Sequence, residues 1–154
     1  MSNSTTTASA QTHTVTGTFS VTGWNETKIY AVDDETVTIS GTDYPARGFN
    51  RADVTYAYSG DISGAGQLTY LLGYVKGSDS PTVGFQAFTG SIDGHDGSVV
   101  LQHNGFHNEE GVHERLDIVA GLGTGGLSTM IGHAEVNIVG HHESYEITLH
   151  YSMS

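Results

Sequence analysis

One pattern runs along almost the whole chain: short stretches in which apolar and polar residues alternate, separated by clusters of Gly, Asp, Ser and Asn. From His13 the alternation is strict, with Val15, Gly17, Phe19 and Val21 set against Thr14, Thr16, Thr18, Ser20 and Thr22. A period of two built from Thr and Val marks a β-strand, because successive side chains point to opposite faces. This strand is expected to end near Trp24-Asn25-Glu26. Further strands are expected at 51–59, 66–76, 82–92, 97–107, 112–120, 129–139 and 143–152. The connectors carry turn chemistry: Ser59-Gly60-Asp61, Gly77-Ser78-Asp79-Ser80-Pro81, Asp93-Gly94-His95-Asp96-Gly97, Asn108-Glu109-Glu110-Gly111 and Gly140-His141-His142. No long segment has a helical period. Short strands joined by short turns pair up and down, and about eight of them close a barrel that holds one small ligand. The expected fold is therefore all-β, a closed antiparallel eight-stranded β-barrel with almost no helix.

The expected organisation is a disordered tail over 1–11 and one barrel domain over 12–154, a length that fits a single core. Residues 27–50 read as an irregular insertion. Val37-Thr38-Ile39 suits a short strand, Ser40-Gly41-Thr42-Asp43 a turn, and Tyr44-Pro45 excludes helix. Such a stretch is either a lid or binding loop or a loose insertion.

With 5 Lys and Arg against 17 Asp and Glu, the net charge is −12. Phosphate backbones and anionic lipid surfaces repel such a chain, so nucleic acid and membrane are not expected partners. Cysteine is absent, which removes disulfides, thiolate metal sites and cysteine nucleophiles. The polar start, Met1 to Gln11, has neither the basic nor the apolar part of a signal peptide, and a cytoplasmic protein is expected.

Centring the hairpin loops gives provisional registers. With the 77–81 loop centred, Val75 faces Val83, and Leu71, Gly73, Phe85 and Ala87 share that aliphatic face. The other face carries Tyr70, Leu72, Tyr74, Gly84, Gln86 and Phe88. With the 93–97 loop centred, Phe88 faces Gln102, and His103 joins the aliphatic side with Val99 and Leu101. The Tyr/Gln face suits a ligand cavity, which is mostly apolar with sparse polar groups. The reverse assignment, with the aliphatic face inside, differs by a one-residue slip. If the Tyr/Gln face lines the cavity, the aliphatic face needs cover, and a homodimer or small homo-oligomer is expected.

Nine histidines raise the question of a metal. His103 and His107 lie four apart, too far separated along a strand to converge, and no His-x-His or His-Glu-x-x-His is present. His141-His142-Glu143 sits at a turn, where neighbours diverge. No metal and no cofactor are expected. There is no Gly-x-Ser-x-Gly elbow, and Gly121-Leu122-Gly123-Thr124-Gly125-Gly126 precedes a strand rather than a helix, so it is no phosphate cradle. Glu135 shares a face with His133 and Asn137 and reads as solvated; buried, it would be an acid/base candidate.

Several stretches taken together resemble one bacterial family. They are Gly17-Thr18-Phe19-Ser20-Val21 with Trp24-Asn25-Glu26, Tyr70-Leu71-Leu72-Gly73-Tyr74, Val83-Gly84-Phe85-Gln86-Ala87-Phe88, Gly97 to His103, and Gly123-Thr124-Gly125-Gly126-Leu127 before Gly132. In order and spacing they resemble the family catalogued as domain of unknown function 3224, over roughly 13–152. The resemblance implies an allene oxide cyclase-like barrel. The Gly-Thr-Gly run is also similar to that of dirigent proteins and allene oxide cyclases, which steer reactive intermediates without cofactors and often as oligomers. It further implies a carboxylate at position 86 and a basic residue at 87, where this chain has Gln86 and Ala87.

Three functions are compatible with this reading. One is a cofactor-free cyclase or isomerase acting on a small apolar reactive intermediate, with Gln86, Gln102, Tyr74 and His103 as the polar groups that polarise a carbonyl or move a proton. The second is a non-catalytic small-ligand-binding barrel. The third is a structural domain with a filled barrel. For the first two, Trp24, Tyr56, Tyr70, Leu72 and Phe88 are the expected ligand-contacting walls.

Overall fold

The computed structural model describes residues 11–140 and 142–154. The tail expected over 1–11 lies, apart from Gln11, outside the described residues, as does His141 of the expected His141-His142-Glu143 turn. Eleven strands follow one another: β1 (His13–Ala31), β2 (Thr36–Ile39), β3 (Thr42–Pro45), β4 (Arg47–Gly60), β5 (Ile62–Val75), β6 (Ser80–Ile92), β7 (His95–His107), β8 (Gly111–Ile118), β9 (Thr124–Gly125), β10 (Met130–Val139) and β11 (Tyr145–Met153). Eight of them close a ring in the order β1-β4-β5-β6-β7-β8-β10-β11, with β11 returning to β1, and every pairing is antiparallel. The all-β eight-stranded barrel is the fold expected from the alternation. Closure leaves no sheet edge along most of the wall.

The interior is filled by one residue in two from each strand. Val15 and Phe19 come from β1, Ala52, Val54, Tyr56 and Tyr58 from β4, and Leu68, Tyr70 and Leu72 from β5. Phe88 from β6, Val99 and Leu101 from β7, Leu116 from β8, Val136 from β10, and Ile147 and Leu149 from β11 complete the core. Aromatic rings meet edge-on, Phe19 on Tyr56 at 5.4 Å and Tyr58 on Phe88 at 5.1 Å between centroids. The Thr residues that alternate with Val15 and Phe19 point outward and pair across strands, as Thr16 does with Thr148.

Two registers differ from those expected. The β5–β6 loop pairs Leu71 with Val83 rather than Val75 with Val83. That shift is even, so Tyr70, Leu72, Gln86 and Phe88 still share one face, and it is the inner one. The β6–β7 turn is an odd shift. It contains only Asp93 and Gly94, both with positive φ (51° and 83°), and pairs Ile92 with His95. This is a two-residue turn of the type that strand twist favours and Asp-Gly supplies. Phe88 therefore faces Val99, not Gln102, and His103 moves to the inner face while Gln102 points to solvent.

The stretch read as an irregular insertion over 27–50 is ordered strand for most of its length. β1 continues to Ala31, β2 and β3 form a hairpin around Ser40-Gly41, and β4 begins at Arg47. From Ser20 onward β1 pairs only with β4, because its ladder with β11 ends at Phe19–Tyr145. The wall thus parts at this end of the barrel, and the β2–β3 hairpin folds beside the opening. Backbone bonds from Ala46 to Glu35 and from Lys76 to Ala46 hold it there, with ion pairs Arg47–Asp33 and Lys76–Glu35. The outer face of β4 to β6 leaves Phe49, Leu71, Val83 and Phe85 exposed.

The inside–outside assignment has a direct energetic consequence. Phe88 is 1% exposed and Phe85 is 56% exposed. Phe88→Ala should cost roughly 3–5 kcal/mol of unfolding free energy and Phe85→Ala close to none. Denaturant midpoints of the two variants check this; equal losses would mean the register is wrong.

Candidate functional site

The barrel interior carries a chain of polar side chains. Glu114 of β8 is buried, and the period of two places it on the same face as Leu116 and Ile118. Its Oε2 accepts hydrogen bonds from the Tyr70 hydroxyl and from Thr82 Oγ1 at 2.8 Å. Its Oε1 lies 2.9 Å from His103 Nδ1. On the other side of the imidazole, His103 Nε2 is 2.8 Å from Gln86 Nε2, and the Tyr58 hydroxyl donates to Gln86 Oε1 at 2.6 Å. These contacts fix the protons by logic. Tyr58 donates to the amide oxygen, so the Gln86 NH2 donates to His103 Nε2. The imidazole then carries its proton on Nδ1 and donates to Glu114.

Glycines make room for this relay. Gly84 stands opposite both Tyr70 and His103, and Gly105 opposite both Thr82 and Glu114. A Cβ on Gly105 would lie 2.9 Å from Glu114 Cγ, and one on Gly66 would lie 1.9 Å from Gln86 Oε1. Burial pushes the Glu114 carboxyl up. The hydrogen bond and electrostatic attraction of the neighbouring His103, together with the hydrogen bonds of Tyr70 and Thr82, outweigh that, so the carboxyl sits below its ordinary value. Burial, reinforced by the Glu114 charge, holds the Tyr70 and Tyr56 phenols well above theirs; burial alone raises Tyr58.

A second cluster lies at the parted end of the wall. Glu26 of β1 accepts from Trp24 Nε1 at 3.0 Å, from Asn50 Nδ2 at 2.6 Å, and from the Tyr74 hydroxyl. Tyr44 of the hairpin stacks on Tyr74 at 5.6 Å, and His107 meets the Tyr74 ring edge-on at 5.2 Å. His107 Nε2 lies 2.7 Å from the Gly73 carbonyl, which can only accept, so Nε2 carries the proton and Nδ1 keeps a lone pair. Above these groups is a cavity of about 710 Å³ between the hairpin and the β5–β6 and β7–β8 loops. Val37, Ile39, Tyr44, Ala46, Tyr74 and His107 are among its walls, and Asp79, Glu109 and Glu110 stand on its rim.

The expected site residues separate into three places. Gln86, His103, Tyr56, Tyr70, Leu72 and Phe88 are all buried inside the barrel, with Gln86 and His103 joined in the relay. Tyr74 and Trp24 stand at the mouth and meet at Glu26. Gln102 is exposed on the outer surface, remote from either group, because the Asp93-Gly94 turn sets the opposite parity. Sequence reasoning missed Glu114, Thr82, Asn50 and the role of Glu26. Glu135, Asn137 and His133 line an outer groove with Thr148 and His150, and Ala134 and Val136 point inward, as the alternation implied. Among the described residues no three His, Asp or Glu side chains converge to hold a metal ion.

The comparisons agree with this architecture. The family described as protein of unknown function (DUF3224) matches residues 15–151, and the chain belongs to it. A crystal structure of a DUF3224 protein of unknown function from Shewanella oneidensis MR-1 superposes with a TM-score of 0.65 at 21% identity, covering 94% of this chain and 99% of that one. At that identity the likeness speaks for the fold. No curated protein matches the chain.

The relay makes Glu114 a pH-sensitive element of stability. Its carboxyl is depressed in the folded state, so the stabilisation is present above the unfolded value near 4.3 and is lost as pH falls through the folded one. Glu114→Gln turns an amide NH2 toward Tyr70 and Thr82 or toward His103 Nδ1–H, and should cost about 1–3 kcal/mol at pH 7. The gap to the parent should narrow on acidification below pH 4, as the parent loses its carboxylate. Urea melts at pH 7 and at stepwise lower pH check the sign; a gap that widens in acid contradicts it.

Proposed function

We propose that this protein is a small-ligand-binding barrel whose ligand sits at the mouth, under the β2–β3 hairpin, rather than in the deep interior. One observation carries the reading: a cavity of about 710 Å³ whose walls are aliphatic and stacked aromatic side chains of the hairpin and β5, with His107 and polar residues of the β5–β6 and β7–β8 loops completing the lining. Its size and lining are those of small-molecule pockets, which run about 300–1,000 Å³. The deep polar groups bond to one another, and Gln86 and His103 are sealed by packing. They support the wall that positions Tyr70 and Tyr74 rather than meeting a ligand.

A second reading, a cofactor-free cyclase or isomerase, is favoured by the groups at the same mouth. His107 Nδ1 holds a lone pair beside Tyr74, whose phenol is held above its ordinary value by burial and by Glu26 and so stays protonated. A base and an acid flanking one cavity, with confinement of a flexible substrate, are what such chemistry requires. Kinship to allene oxide cyclase-like and dirigent-like barrels belongs to this reading.

The test is an amide-resolved NMR titration with neutral bicyclic aromatics such as 2-naphthol. Shifts should cluster at 37–46, 74–80 and 107–110, and Tyr74→Ala should weaken binding by about tenfold, the loss of one aromatic wall. Shifts confined to other surfaces would refute the site. For the catalytic reading, a reactive hydrophobic epoxide should give one stereoisomer with the parent and not with His107→Ala; racemic product from both refutes it.

Assembly as a homo-oligomer through the exposed Phe49, Leu71, Val83 and Phe85 is part of the same proposal. Light scattering at micromolar concentration should give a multiple of the chain mass, and Val83→Ser/Phe85→Ser should return it to the monomer. A monomeric parent refutes it.

A further inference from the structure

We propose that the free edge of β1 is a contact between two copies of this chain, in which residues 23–28 pair antiparallel with the same residues of the partner about a two-fold axis through Thr27. The proposal goes beyond the reading of the mouth as a binding site and does not depend on it.

Its basis is a strand with one neighbour missing. β1 loses β11 after Phe19 but stays on β4 as far as Ala31, so its other edge is bare from Ser20 onward. No other strand among the described residues has so long a run paired on one side only. In an antiparallel ladder each residue turns its N–H and C=O to one side, and successive residues turn to opposite sides. Every second residue of the run therefore holds a donor and an acceptor away from β4, and no backbone bond among the described residues takes them up. The ladder is regular from Gly23 to Lys28, and register shifts bracket it at Val21/Gly23 and Lys28/Tyr30. Trp24, Ile29 and Tyr30 along this edge are about half exposed. A bare ladder is completed by another strand, which supplies matching backbone groups.

Charge selects the occupant and the register. Arg47, Arg51, Lys76 and Arg115 are each bound to a carboxylate, whereas Lys28 has no such partner among the described residues. Glu26 and Lys28 lie on one face, opposite Ala52 and Asn50 of β4. Two identical strands in one continuous antiparallel sheet are related by a two-fold axis that passes through a residue, because paired side chains share a face. An axis through Glu26 opposes two carboxylates, and one through Lys28 opposes two ammonium groups. An axis through Thr27 sets Glu26 against the partner's Lys28 twice. Glu26 Oε1 accepts only from Trp24 and has a lone pair left for that ammonium. On the outer face Thr27 meets its own copy, a cross-strand pair like Thr16–Thr148 and Thr22–Thr55. The chain's own start cannot fill the place: ten residues precede Gln11 and reach at most about 36 Å, while Gly23 lies a further twelve residues along, roughly 40 Å in strand.

A ladder this short is a transient contact, with a Kd on the order of 0.1–1 mM. The test uses the full chain carrying Val83→Ser/Phe85→Ser, which silences the separate contact proposed through the outer face. Amide shifts of residues 23–28 should move between about 50 µM and about 1 mM protein, and Lys28→Glu should weaken the association about tenfold. Added salt should weaken it too. The chain has no cysteine, so single cysteines report the register. Paired Thr27 Cα atoms would lie about 4.5–5.5 Å apart, within disulfide reach, whereas the two Asn25 residues would be offset by about 13 Å along the strands. Under mild oxidation Thr27→Cys should form disulfide dimers at least about tenfold faster than Asn25→Cys, with melts to show that both fold. Amides of 23–28 that stay still up to about 1 mM overturn the contact. Equal oxidation of the two cysteine variants, or association unchanged by Lys28→Glu, overturns the Thr27 axis and the proposal with it. None of these outcomes bears on ligand binding at the mouth.

Discussion

The charge of Glu114 inside a closed barrel is the constraint that most of the interior obeys. A lone carboxylate in an apolar medium is not tolerated; it must be surrounded by donors or lose its charge. Here three strands supply that surround. Tyr70 from β5, Thr82 from β6 and His103 from β7 all aim at one side chain of β8. Gln86 and Tyr58 then fix the far side of the imidazole. Such an arrangement is of little net value for stability compared with packed hydrocarbon, yet it is demanding in geometry. It ties β4 to β8 at one level of the barrel, and a one-residue slip of any of those strands would turn its donor to solvent. We read the relay as a register lock for this half of the wall.

That lock explains where the glycines fall. Polar side chains long enough to meet across a small barrel need empty neighbours. Gly66, Gly84 and Gly105 face the strands next to Gln86, His103 and Glu114, where a methyl group would collide with them or with the adjoining backbone. Composition alone shows many glycines; only the register shows that these three belong to the relay and not to turns.

How much of this was legible follows from which forces are local. Alternation is local, so the strands, the all-β class and the closed barrel could be read from residues such as Val15, Phe19, Leu68 and Leu116. The Asp93-Gly94 dipeptide was also legible, because Asp-Gly flanked by alternating residues is a strong two-residue hairpin signal. Centring the longer Asp93–Gly97 cluster instead moved the register by an odd number and exchanged Gln102 with His103. Glu114 was legible in the same way, since it shares parity with Leu116 and Ile118. The mouth was not. Glu26, Asn50 and Tyr74 sit on three strands, 24 and 48 residues apart from the first to the others, and meet only once the ladder is known. The continuation of β1 past Trp24 was hidden for a related reason: its outer half is exposed on both faces and so lacks the alternation that one-sided burial imposes.

The two polar clusters divide the work of the fold. The relay is complete: each oxygen of Glu114 and each nitrogen of His103 has a partner within the protein. The cluster around Glu26 is not complete: Asn50, whose Nδ2 donates to Glu26, keeps its Oδ1 buried with no partner among the described residues. A finished network resists change, and the proposed binding reading therefore rests on Tyr74 and His107, which line the cavity, rather than on the more deeply buried His103 and Glu114. The two are still coupled. Trp24 bonds Glu26 and meets Tyr70 edge-on at 6.3 Å, and Tyr70 donates to Glu114. Rigid support from below fixes the side chains that face the cavity, so the locked interior holds the wall of that cavity in place.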